Sequence, residues 1–274
     1  MDTYEDKLKR ERQWYTQSAF QARHFLNSRL FYSPERNAFN YLFPKKRLSL
    51  FIEQTMEAND LNKPSVLIAP IGTGDDIQYI RHLSGRISGV DISQEAIDRI
   101  ADDTLEIYVG DMKNMTMFSD NQFDIVLVPL FFHHFVKHGF DDFLKETYRV
   151  LKPDGHFFSL EPSSLHPVGW ITWCLKKVVG NITGAVEDEM PFNPLMLSNA
   201  MKRCGFHDVQ VLGASYSHNR VPIWIAKVNN VVTLPLLKCP FVKYFAWMCL
   251  FYGRKERWLG GALGLDLGGV SRSL

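Results

Sequence analysis

The chain has 274 residues, of which 46% are hydrophobic and 22% are charged, and its net charge is +1. This composition can form the core of one large domain, or of a domain with a cap, in a soluble globular protein. Residues 61–219 carry 13 basic and 20 acidic side chains, which argues against a nucleic-acid groove there. The four cysteines form no Cys-x-x-Cys pair, so we expect neither a metal site of that kind nor a redox motif.

The first 62 residues are predicted to form a helical N-terminal cap. Charged and apolar residues mix there without the alternation of a strand, and Pro34 and Pro44 interrupt the segment. Residues 1–12 are strongly charged and contain no apolar signal core. We therefore expect a cytoplasmic protein.

Residues 63–162 alternate short apolar runs with helical patterns, which predicts a parallel sheet with right-handed crossovers. The predicted helices begin near Asp75, Gln94 and Asp141. The predicted strands are residues 65–71, 87–91, 105–109, 123–129 and 156–161.

The pattern changes after residue 162. Residues 167–179 and 193–204 are predicted helices, and residues 207–213 a further strand. The very apolar stretch 221–252 has two interpretations, a core strand preceded by a short apolar helical hairpin or an interfacial anchor. Its longest charge-free piece is too short to span a bilayer.

The end of the chain is basic as well as apolar. Residues 220–274 carry eight basic and two acidic side chains, which points to an anionic surface such as a membrane face. We therefore predict peripheral membrane contact through this region. Residues 257–274 are predicted to form a glycine-rich tail, and the oligomeric state stays open.

Three strand ends carry residues that suit a nucleoside. The first apolar run stops at a turn that contains Gly72 and Gly74, the second ends at Asp91, and the third is followed by Asp111. Ligands bind at the carboxyl ends of strands in open α/β sheets, and glycine allows a tight turn and a close approach. Asp91 can accept the hydroxyl hydrogens of a ribose, and Asp111 can accept from an exocyclic amine such as that of adenine.

A helix beginning near Asp75 would point free N–H groups at the same place, which favours an anionic group. A nicotinamide dehydrogenase is the rival interpretation, but its fingerprint needs a third small residue where this chain has Ile77.

These motifs, in this order, resemble those of class I S-adenosylmethionine-dependent methyltransferases, whose best-known members methylate quinones and other small molecules. The motifs are residues 66–74, Gly89-Val90-Asp91-Ile92-Ser93, Gly110-Asp111-Met112 with residues 118–124, and residues 148–155. The resemblance implies a Rossmann-like α/β fold, with a seven-stranded, mostly parallel sheet, helices on both faces and an antiparallel last strand at residues 246–254. The methyltransferase domain would be residues 63–256, with substrate-cap insertions at 163–204 and 214–245.

The resemblance also implies S-adenosylmethionine as cofactor and assigns residues to its site. The expected cofactor-binding residues are Ala69, Pro70, Ile71, Gly72, Gly74, Asp91, Ile92, Gly110, Asp111, Met112, Pro129 and Tyr15. No metal is expected. The acceptor would be a small molecule with a lipid, isoprenoid, aromatic or sugar part, methylated on oxygen, nitrogen or carbon.

This chain departs from the family pattern at two positions. Ile68 stands where the family usually has an acid, and Pro70 where it usually has glycine. Asp75 or Asp76 could supply the missing charge. The departures also motivate an alternative, a methyltransferase-like binding module that has lost catalysis.

Most of the catalysis of methyl transfer from a sulfonium is alignment and exclusion of water. An oxygen nucleophile usually also needs a base. The candidate bases are His133 and His134 after the fourth strand, His166 after the fifth, and Glu161 at the end of the fifth. A structural role is open for each: packing under the cofactor for His133 and His134, and a turn or cap for His166.

Overall fold

The computed structural model describes residues 3–16, 33–168 and 189–256. Its α-helices are α1 (Tyr4–Thr16), α2 (Pro34–Ala58), α3 (Ile77–Ile80), α4 (Gln94–Ile97), α5 (Asp141–Val150), α6 (Pro194–Arg203) and α7 (Ile223–Val232). Its strands are β1 (Ser65–Ile68), β2 (Arg86–Asp91), β3 (Glu106–Val109), β4 (Phe123–Pro129), β5 (Leu151–Pro162), β6 (Phe206–Ser215) and β7 (Met248–Lys255). Three 3₁₀ turns lie at Phe132–His134, Leu234–Leu237 and Val242–Phe245.

The strands form one seven-stranded sheet in the order β3-β2-β1-β4-β5-β7-β6. The pairs from β3 to β5 are parallel, and β7 runs antiparallel to both β5 and β6. The predicted Rossmann-like, mostly parallel sheet with an antiparallel last strand is confirmed. Because β5 and β6 both oppose β7, the carboxyl ends of β1 to β6 lie at the same edge.

The element after β1 differs from the prediction. β1 ends at Ile68, and α3 begins at Ile77 and has only four residues. The chain bends after Ala69, because the Ile71 N–H donates to the Val90 carbonyl (2.9 Å) of the neighbouring strand. A helix therefore begins near Asp75, as predicted, but a single turn has little of the aligned N–H groups and dipole of a longer helix for binding an anion.

Buried side chains cover both faces of the sheet, as the period-2 alternation of a strand requires. Val126 and Val128 of β4 belong to the cluster with Phe143 of α5. Ile125 and Leu127 point the other way, to the cluster that includes Ile52 of α2. From Ile125 onward β4 is buried on both sides, which explains why residues 125–129 form a continuous apolar run.

The two described N-terminal helices reach different parts of the sheet. Helix α2 packs on one face, and its Tyr41 ring lies 5.0 Å from the Trp247 ring at the start of β7. Helix α1 lies at the carboxyl edge, where Leu8 is buried in the opposite cluster and the Tyr4 hydroxyl reaches Asp111. The predicted cap therefore contributes side chains to the edge that carries the nucleoside motifs.

The C-terminal elements follow the predicted order. Asn193 caps α6, since its side chain accepts from the Leu195 N–H at 3.0 Å, and the apolar stretch forms α7 and two 3₁₀ turns before β7. The predicted helix at 167–179 lies mostly outside the described residues. Within those residues, no helix is both long and apolar enough to cross a membrane.

Candidate functional site

A cavity opens at the carboxyl edge of the sheet, where β1, β2, β3 and β4 end. The space between its walls is about 630 Å³ and includes open solvent at its mouth. Side chains from helix α1 close it on one side. The lining residues are Tyr4, Leu8, Glu11, Pro70, Val90, Asp91, Ile92, Gly110, Asp111, Met112, Leu130, Phe131, His134 and Phe135.

The turn after β1 is held to β2 by Asp91. The Gly72 N–H donates to Asp91 Oδ2 at 2.8 Å, and Gly72 and Gly74 have φ values of 54° and 82°. The closest contact of a Cβ on Gly74 would be the end of the Ile77 side chain, at 2.9 Å, so it is the backbone conformation that favours glycine here. The Ala69–Pro70 peptide bond is cis.

Asp91 is nearly fully buried at the end of β2. Its Oδ1 accepts from the Ser93 N–H at 3.0 Å. Burial raises the pKa of Asp91, although the hydrogen bonds from Ser93 and Gly72 act to lower it. Each carboxylate oxygen has two lone pairs, so the group keeps acceptor capacity for ligand hydroxyls.

Asp111 is bound by the cap helix. The Tyr4 hydroxyl donates to Asp111 Oδ1 at 2.8 Å and lies 3.0 Å from Oδ2, and the Lys113 N–H donates to Oδ1 at 2.8 Å. Burial, followed by the hydrogen bond to Asp111, raises the pKa of Tyr4. An adenine amine at Asp111 would therefore have to share this carboxylate with Tyr4 or displace the tyrosine.

His134 is the candidate base that lines the cavity. Its Nδ1 lies 3.1 Å from Glu11 Oε1, and Lys7 Nζ lies 2.6 Å from the same carboxylate oxygen. Burial acts to raise the pKa of Glu11, but His134 and Lys7 outweigh it and lower that pKa. Glu11 is thus an anion that can hold one ring nitrogen of His134.

His133 is clamped between two carboxylates behind the cavity. Its Nδ1 lies 2.8 Å from Glu161 Oε2, and its Nε2 lies 3.3 Å from Glu189 Oε1. Burial acts to lower the pKa of His133, but these two carboxylates raise it to about 10. A protonated imidazole whose two nitrogens are both engaged has no free nitrogen to accept a proton, which favours the structural role of His133 over the predicted role as a base.

Glu161 has a structural role in the same cluster. It is fully buried, and its Oε1 accepts from the backbone N–H groups of Phe131 (2.7 Å) and Phe132 (2.9 Å). These bonds fix the 3₁₀ turn after β4. Glu161 is therefore a positioning group for the turn that carries both histidines.

One cluster of side chains has the composition of a metal site. The ligating atoms of His133, His134 and Glu189 lie within 4.8 Å of one another, and two histidines with a glutamate are a donor set that zinc uses. Both nitrogens of His133 already pair with carboxylates. A protonated His133 therefore accounts for these contacts without an ion.

His166 lies apart from the cavity lining, next to His218. The two rings stack at 6.0 Å with an angle of 14°, and His218 lies 5.4 Å from Trp247. His166 Nε2 is 3.1 Å from the Tyr216 carbonyl, so Nε2 carries a proton and Nδ1 is the basic nitrogen. Burial lowers the pKa of His166.

Half of the predicted cofactor residues line the cavity: Pro70, Asp91, Ile92, Gly110, Asp111 and Met112. Ala69, Ile71, Gly72, Gly74 and Pro129 are not in the lining and support it from the strand ends and the turn. The backbone of Tyr15 belongs to α1, but its side chain is outside the part of the chain that the structure describes.

The predicted replacement acids do not reach the cavity lining. Asp76 Oδ1 instead pairs with Lys45 Nζ at 2.9 Å, and Asp75 is exposed. The third acid in the cavity lining, besides Asp91 and Asp111, is Glu11 of α1. Three lining residues of α1 were not predicted as site residues, although their spacing of four and three residues puts them on one helix face: Tyr4, Leu8 and Glu11. Four other lining residues were not predicted either: Val90, Leu130, Phe131 and Phe135.

Residues 69–159 match the family model described as a methyltransferase domain. A comparison with curated protein sequences finds no match to the chain. Solved structures match it at low identity.

One is an S-adenosylmethionine-dependent methyltransferase of Thermotoga maritima, described as a possible histamine N-methyltransferase. It is 17% identical, with a TM-score of 0.58 over 81% of this chain and 91% of that one. A second, from Galdieria sulphuraria, is described as a candidate sarcosine dimethylglycine methyltransferase. It is 14% identical, with a TM-score of 0.51 over 77% and 86% of the two chains.

A third is the [4+2]-cyclase SpnF, which is 17% identical, with a TM-score of 0.50 over 77% of this chain and 81% of that one. At these identities the solved structures establish the fold, and the domain match places residues 69–159 in the methyltransferase sequence family. Residues 69–159 therefore form a methyltransferase domain, in a chain whose fold is shared with an S-adenosylmethionine-dependent methyltransferase of solved structure.

Proposed function

We propose that this protein transfers a methyl group from S-adenosylmethionine to a small-molecule acceptor. The observation that carries the proposal is the cavity at the carboxyl edge, where Asp91 and Asp111 form part of one wall. The sequence alone assigns the two residues to ribose and adenine. Their convergence on one cavity fits a single adenosine.

The residues present suit this cofactor. Asp91 would accept from the ribose hydroxyls and Asp111 from the adenine amine, while Ile92 and Met112 supply apolar surface for the base. Glu11 would provide the negative charge for the amino group of the methionine part, in place of the acid missing at Ile68. When bound, the cofactor supplies an electrophilic methyl group on a sulfonium.

His134 is the proposed proton acceptor for an acceptor hydroxyl. Its Nδ1 faces Glu11, which favours the tautomer with the proton on Nδ1 and leaves Nε2 as the basic nitrogen. This carboxylate–histidine pair has the arrangement of a general base with an orienting group. His166 is the second candidate, and a nitrogen or carbon acceptor could react without either residue.

The acceptor is proposed to carry an apolar part, such as a lipid, isoprenoid or aromatic group, with or without a sugar. Leu130, Phe131 and Phe135 line the cavity together with His134, and such walls suit hydrocarbon more than a fully polar metabolite.

The cytoplasmic location also remains a prediction.

Calorimetric titration with S-adenosylhomocysteine tests the cofactor site. Asp91→Asn should weaken binding about 5- to 150-fold, since a charge-assisted hydrogen bond contributes about 1–3 kcal/mol. Asp75→Asn is the matched control, because Asp75 is an exposed acid on the same turn and should leave the affinity unchanged. Equal affinities for Asp91→Asn and the unaltered protein would reject the proposed ribose contact.

A binding module without catalysis is the second candidate function. Ile68 and Pro70 favour it, and so does the hydrogen bond that Tyr4 makes to Asp111. The two functions differ in one measurement, the formation of S-adenosylhomocysteine from S-adenosylmethionine with cellular lipid and metabolite extracts as acceptors. Tight cofactor binding with no product from any extract would support the module.

A further inference from the structure

Helix α7 has its polar and apolar faces reversed relative to an ordinary surface helix. Its buried residues are Ala226 and Asn230, and Asn230 Oδ1 accepts from the Ser215 hydroxyl at 3.0 Å. The Asn229 side chain donates to the Ser217 hydroxyl at 2.9 Å. A helix on a globular surface normally turns its apolar stripe inward, so the outward face of α7 needs another explanation.

That outward face is part of a large exposed apolar surface. Of the 14 large hydrophobic side chains exposed in the described residues, nine lie in residues 224–245. Trp224 on α7 is 71% exposed and Phe241 in the following turn is 79% exposed. Such a concentration marks an interaction site, because scattered single residues are the norm on a monomer.

The backbone holds Phe241 in an unusual conformation. Its φ is 64° and its ψ is −48°, and a bulky residue at positive φ is a rare and strained arrangement. Strained residues cluster at functional positions in proteins. The exposed phenyl ring at this turn is consistent with a binding role for the surface.

The charge of this region is of one sign. Residues 209–255 contain no aspartate or glutamate, whereas Lys227, Lys238 and Lys243 lie among the exposed apolar side chains. A second copy of the chain seated on this surface would oppose lysine to lysine, which is unfavourable. An anionic lipid surface satisfies both features, since lysines attract its headgroups and apolar side chains enter the acyl boundary.

We propose that residues 223–245 form a peripheral docking surface for an anionic lipid membrane. Trp224, Val228, Val231 and Phe241 would enter the lipid interface, and the three lysines would lie at the headgroups. The segment remains outside the hydrocarbon core, as an interfacial helix does.

The docking surface is joined to the reaction edge of the sheet. The Ser163 hydroxyl at the end of β5 donates to the Tyr244 carbonyl at 2.8 Å, and the Tyr216 hydroxyl donates to the Val242 carbonyl at 2.7 Å. Membrane docking would therefore hold the carboxyl edge close to the lipid surface. This step rests on the proposed function, and it identifies the acceptor as a molecule held in the membrane.

Vesicle co-sedimentation of the full chain tests the surface. We expect binding to vesicles of mixed phosphatidylcholine and phosphatidylglycerol, and far less to phosphatidylcholine alone. The double variant Trp224→Ser/Phe241→Ser should lower the partition coefficient about tenfold or more. Lys227→Gln and Lys238→Gln should each lower it about fivefold. Leu50→Ser is the matched control, because Leu50 is 51% exposed on α2 and should leave binding unchanged.

Three outcomes would overturn the proposal. The first is no binding to either vesicle, and the second is equal binding to neutral and anionic vesicles. The third is self-association that Trp224→Ser/Phe241→Ser abolishes without any vesicle binding, which would make the surface an interface between copies. Titration of the same variants with S-adenosylhomocysteine separates the two proposals, since loss of vesicle binding should leave cofactor affinity intact.

Discussion

Two pairs of histidines lie at the carboxyl edge of the sheet, and carboxylates face the rings of one pair but are not among the contacts described for the other. His133 and His134 follow β4 and face the carboxylates of Glu161, Glu189 and Glu11. His166 and His218 follow β5 and β6, where a backbone carbonyl, a backbone amide and the indole of Trp247 face the two rings. All four are largely buried, so burial alone does not separate the pairs.

The difference lies in whether burial or a neighbouring carboxylate has the larger effect on the pKa of the histidine. Burial disfavours the charged form of every buried histidine, and a carboxylate within contact distance favours it. Two carboxylates raise the pKa of His133 to about 10. Burial, with smaller contributions from His166 and Arg220, lowers the pKa of His218 to about 3. A buried histidine can therefore be a fixed cation or a neutral ring, and its partners decide which.

The largest expected effect comes from removing the buried carboxylate of the first pair. Glu161→Gln should lower the free energy of unfolding by about 3–5 kcal/mol, because it leaves a buried imidazolium with a weaker partner. Denaturant unfolding at neutral pH measures the loss. Glu189→Gln is the matched control, since the Glu189 side chain is 27% exposed and should cost less. Equal losses in the two variants would contradict the central role given to Glu161.

The second prediction is an alkaline loss of stability that depends on His133. The folded pKa is raised from 6.5 to about 10, so the stabilisation is complete below about pH 6.5 and is lost as the pH rises through 10. Between pH 6 and pH 9 the protein should lose about 3 kcal/mol more than His133→Gln.

Chemical unfolding across this range compares the two proteins, and His82→Gln, at an exposed position, should retain the alkaline slope of the unaltered chain. Parallel curves for His133→Gln and the unaltered chain would show that His133 is not a cation in the folded state.

The sheet could be predicted from sequence because its signal is local. β4 was predicted with its observed bounds, since residues 125–129 are a continuous apolar run of strand length. The short helices α3 and α4 begin near the predicted positions, Asp75 and Gln94, but their one-turn length was not predicted. Each has only four residues, and the one-turn length of α3 depends on contacts of its preceding turn with β2 rather than on propensity.

The candidate site could be predicted only in part. Asp91 and Asp111 follow strand ends, and a parallel sheet brings such positions together whatever the loops do. The contact of Tyr4 with Asp111 joins residues 107 positions apart, and no local pattern specifies it. The charge of His133 likewise depends on Glu161 and Glu189, which reach it from two other segments.

The third prediction separates the pairs by activity. His134→Gln should lower the turnover of an oxygen acceptor about 100-fold, the smaller end of the usual loss of a general base, which corresponds to about 2.7 kcal/mol. His166→Gln should have a smaller effect, because His166 lies outside the cavity lining. Formation of S-adenosylhomocysteine with a lipid extract as acceptor measures turnover, and titration with the same product should show unchanged affinity. A larger loss in His166→Gln than in His134→Gln would move the base to the second pair.

The smallest expected effect is an acid loss of stability that depends on His218. The folded pKa is lowered from 6.5 to about 3, so below pH 6.5 the unfolded chain binds a proton that the folded chain does not. Between pH 7 and pH 5 the protein should therefore lose about 1–2 kcal/mol more than His218→Phe, a variant that keeps an aromatic ring against Trp247. The two proteins are compared by the pH dependence of the free energy of unfolding rather than by its absolute value. The substitution also removes an acceptor for the Arg220 N–H and so changes the absolute stability. His82→Phe should follow the unaltered chain. A His218→Phe slope equal to that of the unaltered chain would mean that the pKa of His218 is not lowered in the folded state, so that His133 and His218 do not differ in charge.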